Sequence, residues 1–356
     1  YTRTGTTDTE GSAVSQNYQG VTIDKETTKA NALAKEIDYS QTDSTVTLKG
    51  NIAGDESLHF EFYYSRNVNT VSYEFEGTLV PEGATLPDSK DYAYDDEVTI
   101  AGDININGYT FTGWHTDDNF IKDEDTKFNM PDNNVVLKGS FTANNVGYTV
   151  EHYTENKDGT YILKETESLP GRTGNTVTAS PKHYDGFTYD ESVEGTKKSG
   201  TVTVDEDGNG NLVLKLYYTR DSYNVTYEYY EDTDHNGVIP STASTLPAVE
   251  EHLYQDEVLV APQASAPGYH FVGWNTVTGS LLNIASGKFE MPSRDVILRG
   301  TFRANDDTKY TITHYIECLE SESCSITANG KNYKVLEEYT RTGTTDTEGS
   351  AVSQNY

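Results

Sequence analysis

The same 18 residues occur at both ends of this sequence. Residues 1–18 and 339–356 each read YTRTGTTDTEGSAVSQNY, at an offset of 338 positions. Internal repeats determine the architecture of a chain more strongly than any local pattern, because each repeat packs against its neighbours. The identity therefore predicts a window of a tandem array with a period of 338 residues. We expect this window to begin and end inside one repeat unit.

Two kinds of shorter unit alternate within this period. Units of the first kind carry GYTFTGW at 108–114 or GYHFVGW at 268–274. Units of the second kind carry YTVEHY at 148–153 or YTITHY at 310–315. The sequence thus predicts five segments: A1 (1–66), the C-terminal part of a split module; B1 (67–145); A2 (146–220); B2 (221–305); and A3 (306–356), the N-terminal part of the next such module.

Short runs of alternating apolar and polar residues predict mostly β structure. An Ala-, Lys- and Glu-rich stretch without Gly or Pro predicts one helix. In the strongest alternation, Val202 and Val204 face the leucines that follow a Gly/Asn turn. We expect strands at 46–50 and 58–64, hairpins at 147–171 and 200–221, and a helix at 26–36.

The charge balance excludes several classes of partner. The chain carries 57 acidic and 26 basic residues, a formal net charge of −31. Binding to nucleic acid or to an anionic membrane surface requires clustered Lys and Arg, so we expect neither. No stretch approaches 18 consecutive apolar residues, so no membrane insertion is expected within this segment.

The B segments resemble the Listeria–Bacteroides repeat, which is also the B-repeat of internalin-type proteins. The resemblance lies in GYTFTGW and GYHFVGW, and in KFNMP (127–131) and KFEMP (288–292) with the strand that follows each. It implies that B1 and B2 are small modules of bacterial surface proteins.

The A segments resemble MucBP (mucin-binding protein) repeats. YTVEHY, LPGRTG (169–174), YDGFTYD (184–190) and LVLKLYYTR (212–220) carry this resemblance in A2. The split module departs from it, with TRTGTTDTEG (340–349) where A2 has LPGRTG. The two resemblances imply a string of small β-grasp-like modules in an extended tandem array.

Two loops fit the beginning of a calcium-binding loop, Asp205–Gly210 and Asp232–Gly237. An EF-hand requires an acidic ligand at its twelfth position, and Leu216 and Ala243 stand there, so neither loop is an EF-hand. A hairpin turn explains the first loop. The second has no counterpart in B1. Its calcium candidates are Asp232, Asp234 and Asn236; a solvated loop is the alternative, and no other cofactor is expected.

Two further pairs of residues have predicted structural roles. Cys318 and Cys324 lie close enough in sequence for a disulfide, which implies an oxidising, extracellular setting. Two reduced surface thiols are the alternative. Trp114 and Trp274 occupy equivalent positions, and we expect each to anchor the core of its B segment.

No catalytic or nucleotide-binding motif is present, so we do not expect an enzyme. We expect the repetitive shaft of an extracellular protein or filament on a bacterial cell surface, whose partners are neighbouring copies of the same repeat, joined covalently or by assembly. The short linkers at 65–67 and 219–221 leave little room for flexing. The alternative is an adhesin whose A segments bind mucin glycans or another host ligand.

A third possibility concerns assembly. A1 and A3 of different molecules would complete one module by strand complementation. The two copies of the 18-residue segment would then compete for one position, which favours covalent continuity.

Overall fold

The computed structural model describes residues 2–117, 121, 126–276, 284 and 286–356. Strands form 47% of these residues and helices 4%, in many small sheets, which confirms the mostly β prediction. No helix of these residues is long and apolar enough to cross a membrane. The chain divides into two compact units. Unit 1 comprises Tyr1–Thr149, Ser168–Val177 and Gly200–Val213; unit 2 comprises Val150–Glu167, Thr178–Ser199 and Leu214–Tyr356.

The secondary-structure elements follow the chain in order. A1 contains β1 (Glu10–Val14), β2 (Val21–Ile23), α1 (Lys25–Ala34), β3 (Asp38–Gln41), β4 (Val46–Asn51) and β5 (Tyr64–Arg66). B1 contains β6 (Val68–Phe75), β7 (Lys90–Ala93), β8 (Glu97–Thr99), β9 (Tyr109–Phe111), β10 (Lys127–Asn129), β11 (Val135–Gly139) and β12 (Phe141–Ala143). A2 contains β13 (Asn145–Glu155), β14 (Tyr161–Arg172), β15 (Thr176–Thr178), β16 (Phe187–Tyr189), β17 (Ser199–Thr201) and β18 (Val213–Arg220).

The remaining elements belong to B2 and A3. B2 contains β19 (Ser222–Tyr229), a 3-10 helix (Thr233–His235), β20 (Glu250–Leu253), β21 (Glu257–Leu259), β22 (Tyr269–Thr276), β23 (Lys288–Glu290) and β24 (Val296–Ala304). A3 contains β25 (Thr308–Glu317), β26 (Ile326–Ala328) and β27 (Lys331–Gly343).

Helix α1 forms close to its predicted position in A1. Asp24 caps it, accepting a hydrogen bond from the Thr27 backbone N–H at 2.9 Å, and Ala32 is buried against the sheet β1-β4-β3. The predicted strand at 58–64 is largely wrong, because only Tyr64–Arg66 forms strand, paired with β2. The equivalent residues of A2 lie inside a four-stranded sheet, whereas β5 belongs to a two-stranded sheet among the described residues.

Both B segments place their first and last long strands side by side and parallel. In B2 the sheet order is β20-β19-β24-β22, with Val225 opposite Val296. In B1 the order is β11-β6-β7, with Val71 opposite Val135 in the same parallel register. The parallel pair lies at the centre of the mixed sheet of B2 and at one side of the three-stranded sheet of B1.

Segment A2 repeats this strand order as β14-β13-β18-β16. Its first hairpin turns at Gly159, as predicted. The predicted hairpin at 200–221 forms only at its turn, where Val204 bridges Gly210; the pairing predicted for its strands is wrong, because β17 pairs with β15 and β18 lies between β13 and β16. Burial explains this difference. Leu214 and Leu216 are fully buried, and a central strand buries its side chains more completely than a strand paired only with the three-residue β17.

Candidate functional site: the junctions between segments

Consecutive segments follow one another with almost no linker. A single residue separates β5 from β6, and a single residue separates β18 from β19. One residue likewise separates β12 from β13. Linkers this short force the neighbouring segments into contact, and the same types of side chain fix each junction.

One arginine closes each A-to-B junction. The Arg220 guanidinium donates to the backbone carbonyl of Tyr254 at 3.1 Å and forms an ion pair with Asp256 at 2.6 Å. At the earlier junction, Arg66 donates to the Tyr94 carbonyl at 3.0 Å and pairs with Asp96 at 2.5 Å. The same three groups therefore hold both A-to-B junctions, each within a single compact unit.

Backbone hydrogen bonds repeat beside each arginine. The Asp221 N–H donates to the Gly186 carbonyl at 2.9 Å, and the Tyr254 N–H donates to the Asp221 carbonyl at 2.8 Å. The Asn67 N–H and the Tyr94 N–H make the equivalent bonds at 2.8 and 2.7 Å. The junction residues thus continue the hydrogen bonding of the sheets from one segment into the next.

A glycine allows the tyrosine ring to pack at each of these junctions. Gly186 has a φ of +80°, and a Cβ there would collide with the ring of Tyr254. Gly20, with a φ of +75°, stands in the same relation to Tyr94. Any other residue would meet both backbone strain and a steric clash, so the sequence requires glycine here.

The B-to-A junctions are also built twice from equivalent residues. The Thr173 N–H donates to the Asn144 carbonyl at 3.0 Å, and Thr345 donates to Asn305 at 2.8 Å. A glycine again allows the close approach: Gly108 packs on Thr173, and Gly268 packs on Thr345. Tyr269 adds a hydrogen bond from its hydroxyl to the Asp346 carboxylate, and this contact raises the pKa of Tyr269.

The two arginines differ in burial although their contacts agree. The Arg220 side chain is 4% exposed, and the Arg66 side chain is 52% exposed. The Arg220 backbone N–H also donates to the Glu155 carboxylate of β13 at 2.8 Å. A buried guanidinium requires its carboxylate partner far more than an exposed one, so we expect Arg220 to contribute more stability.

A second polar cluster lies in the A2 part of unit 2. His152 is fully buried and its Nδ1 lies 2.9 Å from the Tyr218 hydroxyl. The Lys182 ammonium lies 2.6 Å from Glu165 and 2.5 Å from Glu167, and its hydrogen bonds hold the pKa of both carboxyl groups below the usual value. Each of these groups has a hydrogen-bond or ion-pair partner within the cluster, so the cluster stabilises the sheet.

The calcium candidates lie in the loop that contains the 3-10 helix. The Asp232 carboxylate is 3.0 Å from the His235 ring, and Asn236 takes a left-handed conformation. Across the described residues, no group of three or more His, Cys, Asp or Glu side chains is placed to hold a metal ion. An open cleft of about 580 Å³ adjoins this loop and presents His235, His270 and Arg303, whose side chains offer nitrogen rather than the oxygen ligands that calcium takes. Calcium binding therefore stays a prediction.

The other loop, Asp205–Gly210, forms a tight turn. The Asp205 carboxylate accepts hydrogen bonds from the backbone N–H groups of Asp207 at 3.1 Å and Asn209 at 2.8 Å. The Asp205 N–H donates to the Asn209 carbonyl at 2.8 Å. The Asp205 carboxylate is thus hydrogen-bonded to the backbone of its own loop, as in an Asx turn.

The structure places the predicted tryptophans in equivalent cores. Trp114 is 6% exposed and donates from its indole N–H to the Gly102 carbonyl at 3.3 Å. Trp274 is 8% exposed and donates to the Pro262 carbonyl at 3.1 Å. Tyr73 and Tyr227 meet these rings edge-on with centroids 4.9 Å apart in each case.

A disulfide joins Cys318 and Cys324, with their Cα atoms 6.3 Å apart. It closes the loop between β25 and β26 in A3.

The residues that fix the junctions were not predicted as a site. The sequence does carry a signal for them, because SRN at 65–67 and TRD at 219–221 recur before each B segment. Their partners lie about 30 positions further on, where Tyr94 is followed by Asp95-Asp96 and Tyr254 by Gln255-Asp256. Only the fold brings the two short patterns together.

Comparison with known protein families matches both B segments. Residues 76–145 and 255–306 match a family profile described as the divergent InlB B-repeat domain. The match confirms the predicted resemblance of B1 and B2 over these ranges. The MucBP-like assignment of the A segments stays a prediction. Comparison with curated protein sequences finds no significant match.

Several solved structures of bacterial proteins share weak similarity with this chain. Domains 3–4 of the Streptococcal High Identity Repeats in Tandem (SHIRT) of a cell surface protein align with 13% identity and a TM-score of 0.20, covering 42% of this chain and 96% of that one. The Bacillus anthracis TIE protein aligns with 9% identity and a TM-score of 0.25, covering 74% and 57%. The pilus adhesin SpaC from Lactobacillus rhamnosus GG aligns with 10% identity and a TM-score of 0.17, covering 84% and 55%. At TM-scores this low the similarity carries no functional information.

Proposed function

We propose that this chain is the repetitive structural shaft of an extracellular bacterial surface protein. The observation that carries the proposal is the repetition of both junction types with the same contacts. Two arginine-closed A-to-B junctions and two threonine-closed B-to-A junctions connect all five segments. A spacer needs neighbouring modules whose relative orientation is fixed, and it needs no unique site in any one copy.

The extracellular, cell-surface location is part of this proposal. It is supported by the InlB B-repeat match in B1 and B2 and by the disulfide in A3, which belongs to an oxidising compartment. We also propose that the A segments are MucBP-like and that the role is not enzymatic. The polar groups of the buried cluster in A2 are engaged with one another, which fits a structural role.

One observation favours an adhesin as the second candidate. Three half-buried tyrosines form an aromatic patch on A2 in unit 2. Tyr153 stacks on Tyr217 with centroids 4.9 Å apart, and Tyr161 meets Tyr217 edge-on at 5.1 Å. Aromatic faces of this kind can stack on sugar rings. In this case A2 would bind mucin glycans or another host ligand.

Amide hydrogen exchange tests the shaft proposal directly. Fixed junctions predict slow exchange at Asp221 and Tyr254, whose N–H groups bridge A2 and B2. Exchange at these amides as fast as in exposed loops would show that the junction is open and would contradict the proposal.

A mucin glycan array with the whole chain tests the adhesin. Saturable binding that is lost on Tyr217→Ala and kept on Tyr18→Ala would establish it, since Tyr18 is an exposed tyrosine of A1. The absence of any signal would remove it.

A further inference from the structure

The open cleft beside the loop of the 3-10 helix collects basic side chains. All of its lining residues belong to unit 2. They are His235, Asn236, His270, Arg303, Ala304 and Thr344. None of the six is acidic, although the chain carries 57 acidic residues and only 26 basic ones. A cleft lined by one sign of charge attracts ligands of the opposite sign, so this lining favours an anion.

Two strands and the loop bring the three basic side chains together. His270 of β22 lies directly opposite Arg303 of β24 in an antiparallel pair. Residues in this relation place their Cβ atoms about 5 Å apart on one face of the sheet. On the other side of β24, Val238 pairs with Phe302 through backbone hydrogen bonds of 2.8 and 3.1 Å. That pairing holds the end of the loop, and with it His235, beside Arg303.

The charge of Arg303 has no partner within the protein. Its guanidinium forms no ion pair or hydrogen bond among the described residues, and its Nε is buried without an acceptor. Arg220 and Arg299 of the same unit pair with Asp256 and Glu228. A cationic group without an acceptor is unfavourable when it is partly buried, and an oxyanion at the accessible nitrogens of the guanidinium would compensate its charge.

Both imidazole rings offer nitrogen atoms to the same space. The Nδ1 of His235 lies 3.0 Å from the Asp232 carboxylate, and its Nε2 has no partner among the described residues. The Asp232 side chain is 21% exposed and that of His235 is 67% exposed, so the imidazole faces the solvent more than the carboxylate does. His270 is exposed. A protonated imidazole donates from both nitrogens, so the two rings add donors to those of Arg303.

This group of side chains belongs to B2 and not to the shared fold of the B segments. Thr110 and Thr142 of B1 hold the positions of His270 and Arg303, and the loop that carries His235 has no counterpart in B1. B1 forms the same parallel strand pair without any of the three. Their presence in B2 is therefore not explained by the requirements of folding.

The face that carries the cleft stays accessible where a whole A segment follows a B segment. All residues of A2, the segment that follows B1, are described. The three positions at the junction of B1 and A2 that correspond to His270, Arg303 and Thr344 are exposed; they hold Thr110, Thr142 and Arg172. A complete A module therefore leaves this face open to a ligand.

We propose that this cleft binds a small ligand through one oxyanion, a carboxylate or a sulfate group, held by Arg303, His235 and His270. A guanidinium donates two parallel hydrogen bonds to such a group, and imidazolium rings add single ones. A volume of about 580 Å³ accommodates a small molecule. The net charge of −31 repels polyanions, which favours a ligand with a single charged group. This binding function is additional to the shaft function and does not rest on it.

Nuclear magnetic resonance of the histidine rings in the full chain tests the proposal. Sodium sulfate is titrated at about pH 6, because imidazoles gain their charge as the pH falls from 8 to 5. Sodium chloride keeps the ionic strength constant, and a second titration with sodium acetate distinguishes a carboxylate ligand from a sulfate ligand. We expect saturable shifts of the His235 and His270 signals with at least one of the two anions. The absence of a saturable shift with both would overturn the proposal.

Three substitutions locate the anion, with the His235 signal as the common readout. Arg303→Thr and His270→Thr introduce the residues that B1 carries at these positions, so both variants are expected to fold. Arg303→Thr should weaken binding at least about tenfold, since it removes the charge-assisted hydrogen bonds of the guanidinium. His270→Thr should weaken it to a smaller extent. Arg294→Thr, at an exposed arginine of B2 outside the cleft, should bind like the parent. Equal effects of Arg303→Thr and Arg294→Thr would mean that the anion responds only to net charge, against the proposal.

Discussion

Arg66 and Arg220 have the same partners but different surroundings. Each guanidinium bonds a tyrosine carbonyl and an aspartate of the following B segment. Arg220 is enclosed, because β13 lies beside β18 and supplies Glu155 to its backbone N–H. Arg66 is exposed, and among the described residues β5 pairs with β2 alone. The pair is therefore an internal control for the effect of burial on one interaction.

Replacing these arginines is expected to have unequal effects. Arg220→Ala should accelerate exchange of the Tyr254 N–H by about 30- to 150-fold, since it removes hydrogen bonds to a buried cation worth about 2–3 kcal/mol. Arg66→Ala should accelerate exchange of the Tyr94 N–H by only about twofold, the effect of an exposed pair. Equal effects of the two substitutions would refute the role assigned to burial.

The carboxylates beside Lys182 give A2 a defined pH response. The hydrogen bonds from Lys182 lower the pKa of Glu165 and Glu167, so the folded state binds fewer protons than the unfolded state at these sites. The resulting stability is complete above the ordinary carboxyl pKa of about 4.3 and is lost as the pH falls through the lowered values.

We therefore expect Lys182→Gln to lower the urea midpoint of A2 at pH 7 and to have little effect near pH 3. Lys197→Gln, at an exposed position of A2, is the matched control and should show no such pH dependence. A Lys182→Gln effect that is the same at both pH values would contradict the linkage.

At the level of elements, the sequence predicts local features better than strand partners. The helix of A1 and the hairpin that turns at Gly159 depend on caps, turns and alternation, which are local. The partner of β18 was missed because pairing depends on what must be buried: Leu214 and Leu216 require a central strand. The junctions were missed for a similar reason, since Arg220 and Asp256 are 36 positions apart.

In B2, strand β24 packs against the Trp274 ring at Gly300. A Cβ added at Gly300 would lie 2.8 Å from the Trp274 ring. Gly300→Ala should therefore destabilise B2 by about 1–3 kcal/mol through overpacking. Trp274 fluorescence during urea unfolding, in a Trp114→Phe background, reports this segment alone. Gly102→Ala in B1, where an added Cβ meets nothing within 4 Å, should be neutral when read by Trp114 fluorescence in a Trp274→Phe background. A neutral Gly300→Ala would show that this core relaxes more than its packing implies.

At the scale of the whole molecule, each compact unit contains one junction of each type. Unit 1 holds the Arg66 and Asn144 junctions, and unit 2 holds the Arg220 and Asn305 junctions. The repeated 18-residue segment first indicated a period in the sequence. The structure adds that contacts repeat inside this period, because the residues that join neighbouring segments occur twice, once in each compact unit.

The proposed shaft function requires these contacts to hold neighbouring segments in one orientation. Distances between spin labels at Glu194 of A2 and Leu259 of B2, two exposed positions of unit 2, test it most directly. Cys318 and Cys324 are joined in a disulfide, so labels attach only to the introduced cysteines. We predict one narrow distance distribution for the parent chain, which broadens on Arg220→Ala. A broad distribution in the parent, unchanged by Arg220→Ala, would contradict the claim.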